Sequence, residues 1–404
     1  MTGEAHTGLC PYFGECGGCQ AQDMPYAEQV CQKAAQLEAL FAPFWEQSVE
    51  VTPSPAVWHY RNKVDPTFAP RRYDEPPPPG FQRETVLGFK RKGRWFWPLD
   101  IEECRIGPKG LPELLAAVRA WYRSAGLRAF DSHTGEGFLR VLLVRDAKAT
   151  GQRMVALITR PGEFEPQPFV DAVRAAFQAD SIYHGVFRGL AEVAAADELT
   201  LLHGDPAITE HLRIPDDAGK PPELAFRISP FSFFQTNPRA TEWLYGKVRA
   251  WARAVRPRVL YDLYGGMGGV AFSCADLVER VCSVESAAAA SEDGRYNAGV
   301  NGIENVQFVT EKVKNYLLAR GEAGGLEPDS AVVVDPPRAG LHPKALKRLI
   351  RLAPAHLFYV SCNPKLLARE MPALLEAYRL DYLGAVDLFP HTRHVEAVAA
   401  FSRR

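Results

Sequence analysis

From residue 259 onward the sequence alternates short, unbroken apolar runs with segments of helical spacing, and this alternation restricts the architectures open to the chain. The runs are VLYDLY (259–264), VCSVE (281–285), NVQFV (305–309), SAVVVD (330–335) and LFYVS (357–361). An apolar run without two-residue alternation suits a strand covered on both faces, which is a parallel strand with helices above and below it. Strands and helices in regular succession therefore predict an α/β, doubly wound sheet. The ending differs. AVDLFP and HVEAVAAF are separated by only a few residues, too few for a crossover helix, and are predicted to form an antiparallel hairpin.

The preceding half is mixed. A helix is predicted from about Pro25 to Phe41, and the tract Pro76-Pro77-Pro78-Pro79-Gly80 is predicted to be an exposed loop. Helical spacing runs from Leu111 to Ala125, and FLRVLLVR and RMVALIT read as two strands joined by a turn between Asp146 and Gly151. The expected division is a segment 1–110, a central α+β domain 111–228, and the doubly wound domain 229–404.

Of the 404 residues, 47 are Lys or Arg and 48 are Asp or Glu, so the chain is not uniformly basic. A local excess lies between Arg61 and Arg94, where nine basic residues face four acidic ones with Tyr60, Tyr73, Phe89, Trp95, Phe96 and Trp97 interleaved. Basic groups hold phosphates and aromatic rings stack on unpaired bases, although a solvated basic face has the same composition. No apolar stretch approaches the roughly 18 residues of a membrane span, and the N-terminus lacks the basic and apolar regions of a signal peptide. A cytoplasmic protein without a membrane partner is expected, acting as a monomer.

In a reducing compartment, clustered cysteines are metal ligands or reactive thiols more often than disulfides. Three of the eight cysteines are Cys10, Cys16 and Cys19, and Cys104 in DIEEC is the candidate fourth member of their group. Four thiolates suit a tetrahedral zinc or a [4Fe-4S] cluster equally. Cys31, Cys274 and Cys282 are expected to be ordinary buried residues.

Chemistry concentrates at predicted strand ends, where open parallel sheets bind ligands. Gly265-Gly266-Met267-Gly268-Gly269 follows the first strand and Glu285 ends the second. Glycines allow close backbone approach, and a carboxylate at that offset accepts hydrogen bonds from ribose hydroxyls, so a nucleotide-type cofactor is expected although the loop departs from GxGxxG. Asp335-Pro336-Pro337-Arg338 offers a carboxylate in a rigid turn, or equally a capped helix start. In Ser361-Cys362-Asn363-Pro364, Cys362 is either a small buried residue or a nucleophile. A thiolate that adds to uracil carbon 6 makes carbon 5 nucleophilic through an enolate. His394 and Glu396 are two residues apart and expected on one strand face; a carboxylate there suits removal of the carbon 5 proton, while a solvated edge strand is the plain alternative. Gln235 and Asn237, in SPFSFFQTNP, carry amides suited to a ligand pocket.

Taken together, CPYFGECGGC, HYRNK, DIEEC, SPFSFFQTNP, DLYGGMGG, Glu285, DPPRAG, YVSCNP and LFPHTRHVE stand in an order that resembles the RNA uracil-5-methyltransferase family over essentially the whole chain. The resemblance implies a class I (Rossmann-like) methyltransferase domain with its terminal antiparallel hairpin, preceded by an α+β domain with an N-terminal iron-sulfur segment. It implies that Cys362 is the nucleophile and Glu396 the base. Gln235, Tyr264, Glu285 and Asp335 match positions that contact S-adenosylmethionine, and Cys10, Cys16, Cys19 and Cys104 match the ligands of a [4Fe-4S] cluster. Many relatives carry Cys where Gly266 stands, and several begin with an added RNA-binding barrel before the cysteine motif. The FFQTNP wording and the immediate start at the cysteine motif look more like the short branch that methylates a uridine in 23S ribosomal RNA than the transfer RNA branches. The target uridine is then expected in a loop, flipped out of its stack. Two rivals are an idle RNA-binding assembly factor, against which Cys362 and Glu396 are both present, and a nicotinamide-dependent iron-sulfur redox enzyme, against which the terminal hairpin counts.

Overall fold

The computed structural model describes residues 9–75, 77–78, 80–217 and 219–404. The first eight residues, read above for targeting signals, and Pro76 and Pro79 of the predicted loop lie outside the described residues. Two compact units result. One comprises Met1–Asp23, Ala56–Glu210 and Ile228–Phe231, the other Met24–Pro55, His211–Arg227 and Ser232–Arg404.

In the first unit, strands Leu139–Asp146 and Arg153–Thr159 are antiparallel with Arg145 opposite Met154, as the two apolar runs predict. Strand Ser181–Val186 joins Arg153–Thr159 in parallel, and the hairpin Thr85–Arg91/Arg94–Asp100 forms the far edge of the eight-stranded sheet. Helices Leu111–Ser124 and Pro166–Phe177 place Leu114, Val118, Phe169 and Val173 against Leu142, Val144 and Leu157. Their spacing at three and four residues is what turns one apolar stripe of each helix onto the sheet.

The second unit holds another eight-stranded sheet: β1 (Glu50–Thr52), β2 (Val259–Leu263), β3 (Arg280–Glu285), β4 (Val306–Thr310), β5 (Ser330–Val334), β6 (His356–Ser361), β7 (Tyr378–Val386) and β8 (Glu396–Arg403), in the order β1-β7-β8-β6-β5-β2-β3-β4. Strands β2 to β6 are mutually parallel where they pair, and β8 runs antiparallel to both β6 and β7. The parallel runs and the closing hairpin of the sequence reading are therefore all present, in a mixed α/β, Rossmann-like arrangement.

The central strands β2, β5 and β6 are buried along nearly their whole length. Tyr261, Val332, Leu357 and Ala399 meet α1 (Tyr26–Phe41) and helices Pro343–Leu352 and Pro364–Ala377 through Phe41, Leu349 and Met371. On the opposite face, α2 (Pro238–Val255) sets Trp251 against Phe358 at 5.1 Å between ring centroids. Cys274 and Cys282 are buried as expected, but Cys31 is exposed, because it falls on the solvent side of α1 while Gln29, Lys33 and Leu37 are the buried residues. Among the described residues no helix is long and apolar enough to cross a membrane.

Candidate active site

Five of the candidate side chains gather at one edge of the second sheet because the parallel strands all end there. Tyr264 follows β2, Glu285 closes β3, Asp335 follows β5 and Cys362 follows β6. The antiparallel β8 starts at the same edge with Glu396. Strand order thus sets the sequence of groups along the edge as Glu396, Cys362, Asp335, Tyr264, Glu285. Asp335 and Tyr264 flank the point between β5 and β2 where the winding reverses, the usual ligand crevice of such sheets.

The glycine turn is built for close approach. Both Tyr264 and Gly265 donate backbone N–H groups to the Val284 carbonyl, at 2.9 and 3.1 Å. Tyr264 has φ of 68°, a left-handed conformation that a bulky residue rarely holds. A Cβ on Gly265 would lie 2.1 Å from Ser283 Oγ, and one on Gly269 would lie 2.3 Å from the Tyr245 hydroxyl. Gly266 differs: a Cβ there meets nothing within 4 Å. The Glu285 carboxylate accepts from Gly266 N–H at 3.2 Å and from Ala287 N–H at 2.7 Å, so it is held across the turn with acceptor capacity remaining for a ligand hydroxyl.

Gln235 is half-buried two residues before Asn237, which caps α2 by accepting from Ala240 N–H at 3.2 Å. Asn237 also donates to Ser54 Oγ and to the Leu388 carbonyl, both at 3.0 Å. Its amide is fully buried and used within the fold, which corrects the expectation that Asn237 faces a ligand. Burial raises the Tyr264 phenol, with Glu370 adding to the shift. Glu370 itself accepts from the Tyr359 hydroxyl at 2.8 Å and from Leu341 N–H at 3.0 Å.

Around Cys362 the electrostatics are crowded. Burial, then Glu396 and Asp335, push the half-buried thiol up to about 11, while the Arg338 cation pulls it down. Glu396 is 3% exposed, and burial followed by Asp335 holds its carboxyl well above the usual range. One of its oxygens, Oε2, has no hydrogen-bond partner among the described residues. Burial alone takes Asp335 to about 7. Asn363 donates to the Arg338 carbonyl at 3.2 Å and so ties the Asp335 turn to the Cys362 turn. A thiol, a proton acceptor and one cation at a ligand crevice have the parts for covalent addition followed by proton removal.

His394, expected to share a strand face with Glu396, lies before β8 begins; it is exposed and its ring stands 6.0 Å from Phe389. Three residues escaped the sequence reading. Arg338 shows in the sequence only as the end of a turn, Tyr245 lies in a helix without a chemical signature, and Asp262, pushed to about 7 by burial and then by Asp335, sits inside an apolar run. Tyr245 faces Asp335, Asp262 and Glu396, which together with burial raise its phenol.

In the first unit, Cys10, Cys16, Cys19 and Cys104 line a single cavity of about 310 Å³. Their loop is laid along the edge hairpin: Gly17 N–H donates to the Lys90 carbonyl at 3.1 Å and Lys92 N–H to the Glu15 carbonyl at 2.7 Å. Burial pushes the Cys19 thiol up to about 12 and Cys104 to about 11, with neighbouring cysteines of the group adding to both shifts. Among the described residues no three His, Cys, Asp or Glu side chains form a group that would hold a metal ion. On the same hairpin Arg91 and Arg94 lie over the Trp97 ring at 5.5 and 5.1 Å. Part of the basic excess is neutralised, since Arg71 pairs with Glu84, Lys90 with Glu192 and Arg91 with Glu15.

Residues 193–404 match the family model of the tRNA (uracil-5-)-methyltransferases. An RNA methyltransferase of Clostridium tetani is 31% identical over 403 residues, covering 98% of this chain and 84% of the relative. A tRNA (uracil(54)-C(5))-methyltransferase of Pyrococcus horikoshii is 33% identical, covering 96% and 84%. The crystal structure of the Pyrococcus abyssi tRNA (uracil-54, C5)-methyltransferase in complex with S-adenosyl-L-homocysteine superposes with a TM-score of 0.74 at 30% identity, over 95% of this chain and 85% of that one.

Proposed function

The chain belongs to the tRNA (uracil-5-)-methyltransferase family, and from that premise we propose that it methylates carbon 5 of a uridine in RNA with Cys362 as nucleophile and Glu396 as base. One observation carries the assignment: Ser361 pairs with Ala397 across β6 and β8, so the next residues, Cys362 and Glu396, stand together at the ligand edge with Asp335 beside them.

In this reading the Cys362 thiolate adds to uracil carbon 6, and the ring electrons move to the carbonyl oxygen as an enolate. S-adenosylmethionine supplies an electrophilic methyl group, with Gln235, Tyr264, Glu285 and Asp335 as its contacts. Carbon 5 then takes that methyl group as the bond from methyl to the sulfonium sulfur breaks, and S-adenosylhomocysteine leaves with the electron pair of that bond. Glu396 removes the proton from carbon 5, the 5,6 double bond reforms and the Cys362 thiolate leaves. Atoms and charges balance, and the protein is regenerated once Glu396 passes its proton to solvent. Single-stranded or flipped-out uridine is required, because carbon 6 is shielded within a stack.

The four N-terminal cysteines fit a [4Fe-4S] cluster. They line one cavity and come from two separated chain segments, and this shared lining supports the reading. Bound there, the cluster would tie the residues 10–19 to Cys104 as a structural staple.

For the RNA target, the FFQTNP wording supports a uridine of 23S ribosomal RNA. The two Pyrococcus proteins named for uridine 54 of tRNA favour a second reading, tRNA. Mapping 5-methyluridine in both RNA classes, from cells with and without the protein, tests both. Loss of the mark from neither class would refute the assignment.

A further inference from the structure

Glu396 is the first residue of β8, and the nine residues before it, 387–395, form no helix or strand. A loop of that length leaves the first residue of the following strand free to shift unless something anchors it. One oxygen of Glu396 has no hydrogen bond, so the aim of the carboxylate depends largely on where the backbone is held.

The anchor comes from the other end of the sequence. Lys33 of α1 forms an ion pair with Asp387 at 2.7 Å, with side-chain exposures of 4% and 0%, and also donates to the Phe389 carbonyl at 3.1 Å. Tyr26 donates to the second Asp387 oxygen at 3.1 Å. Gln29 grips His391 twice: its Oε1 accepts from His391 N–H at 2.8 Å, and its Nε2 meets His391 Nδ1 at 3.1 Å. His391 is buried and has φ of 66°, a conformation that a residue with a side chain keeps only where its surroundings enforce it. The bonds of Gln29 act on that strained residue, five positions before Glu396.

We propose that Gln29 and Lys33 are positioning residues for proton removal: by fixing the loop 387–395 they set the place of Glu396 relative to carbon 5. Neither touches the substrate in this scheme. The inference rests on the reading of Glu396 as the base, and the experiment separates the two.

Four variants are compared with the parent protein under single-turnover conditions with labelled S-adenosylmethionine and substrate RNA: Glu396→Gln, Gln29→Leu, Gln29→Glu and Lys33→Met. Denaturing gels read the covalent protein–RNA adduct, and the amount of released methylated RNA is read in parallel. S-adenosylhomocysteine affinity and thermal melting report on the fold. Glu396→Gln should trap the adduct; if it does not, the base assignment fails by itself. Given that trap, Gln29→Leu should slow release of methylated RNA at least tenfold and accumulate adduct, with cofactor affinity within about twofold of the parent. Gln29→Glu, which keeps an acceptor for His391 N–H, should recover part of the rate. A folded Gln29→Leu protein that releases product at the parent rate overturns the proposal. So does one that slows without adduct, since a merely structural role would slow addition and release alike. Should Gln29→Leu or Lys33→Met fail to fold, Gln29→Asn, which keeps the amide on a shorter stem, is read by the same criteria.

Discussion

Cys362 directly follows Ser361 and Glu396 directly precedes Ala397, the last pair of one antiparallel ladder, so the proposed nucleophile and base stand just past its end, where the carboxylate adds to the rise of the thiol after burial. A single substrate ring can therefore meet both. Replacing Cys362 with Ala should lower methyl transfer by roughly four orders of magnitude while leaving S-adenosylmethionine binding intact, because in the proposed scheme the thiol attacks uracil and makes no contact with the cofactor. Retained turnover in Cys362→Ala, measured by transfer of labelled methyl to RNA, would remove covalent addition from the mechanism.

Arg338 should govern the pH dependence of adduct formation. Its cation lowers both Cys362 and Glu396, against burial and Asp335, which raise them. Removing it in Arg338→Met raises the thiol further, so less thiolate is present at neutral pH and the rate rises only at more alkaline values. Because Arg338 is exposed, screening keeps the deficit at neutral pH below about tenfold. Pre-steady-state adduct formation from neutral to alkaline pH should show the variant curve displaced upward and converging with the parent at the alkaline end. An acid-side displacement would contradict the assigned sign.

Much of this site was legible because its scaffold consists of uninterrupted apolar runs. Val332 to Val334 or Leu357 to Val360 are buried throughout, so neither period nor polarity misleads, and the residues just past them fall at the ligand edge automatically. The contribution of residues 24–55 was not legible. Amphipathic spacing shows that α1 must pack somewhere but not against what, and the three residues of β1, with Thr52 opposite Val386, are too short to leave a pattern. Gln29 and Lys33 look like solvent-facing residues until their partners, more than 350 positions away, are brought to them. Cys31 shows the reverse error, since a cysteine's usual burial says nothing about which side of a helix it occupies.

The glycines of the proposed cofactor turn should respond unequally to one added methyl group. In Gly265→Ala the new carbon would fall 2.1 Å from Ser283 Oγ and 2.8 Å from Asp262 Oδ2, forcing the turn away from β3. A loss of about 1–3 kcal/mol and weaker S-adenosylmethionine binding are expected. Gly266→Ala meets no neighbour, and its φ of 55° costs only about 1–2 kcal/mol in conformational preference. Calorimetric titration of both variants should show the larger loss of cofactor affinity in Gly265→Ala. The opposite ranking would mean that the turn rearranges when the cofactor binds.

Cys104 offers the sharpest test of the N-terminal group, because it alone comes from a distant segment while Cys10, Cys16 and Cys19 share one loop. A cluster bound by all four closes a long stretch of chain, and its binding free energy contributes to folding of the unit. Protein purified without oxygen should hold about four irons per chain and absorb in the visible, as four thiolates around a [4Fe-4S] cluster require. Cys104→Ser should lose most of the iron and melt at lower temperature, whereas Cys31→Ser, altering an exposed cysteine of the other unit, should change neither. Stoichiometric zinc without visible absorption would replace the cluster by a tetrahedral site on the same four residues. Iron retained in Cys104→Ser would instead place the fourth ligand elsewhere. Iron content and S-adenosylmethionine affinity are read in the same preparation, since the four cysteines belong to one compact unit and Cys362 to the other.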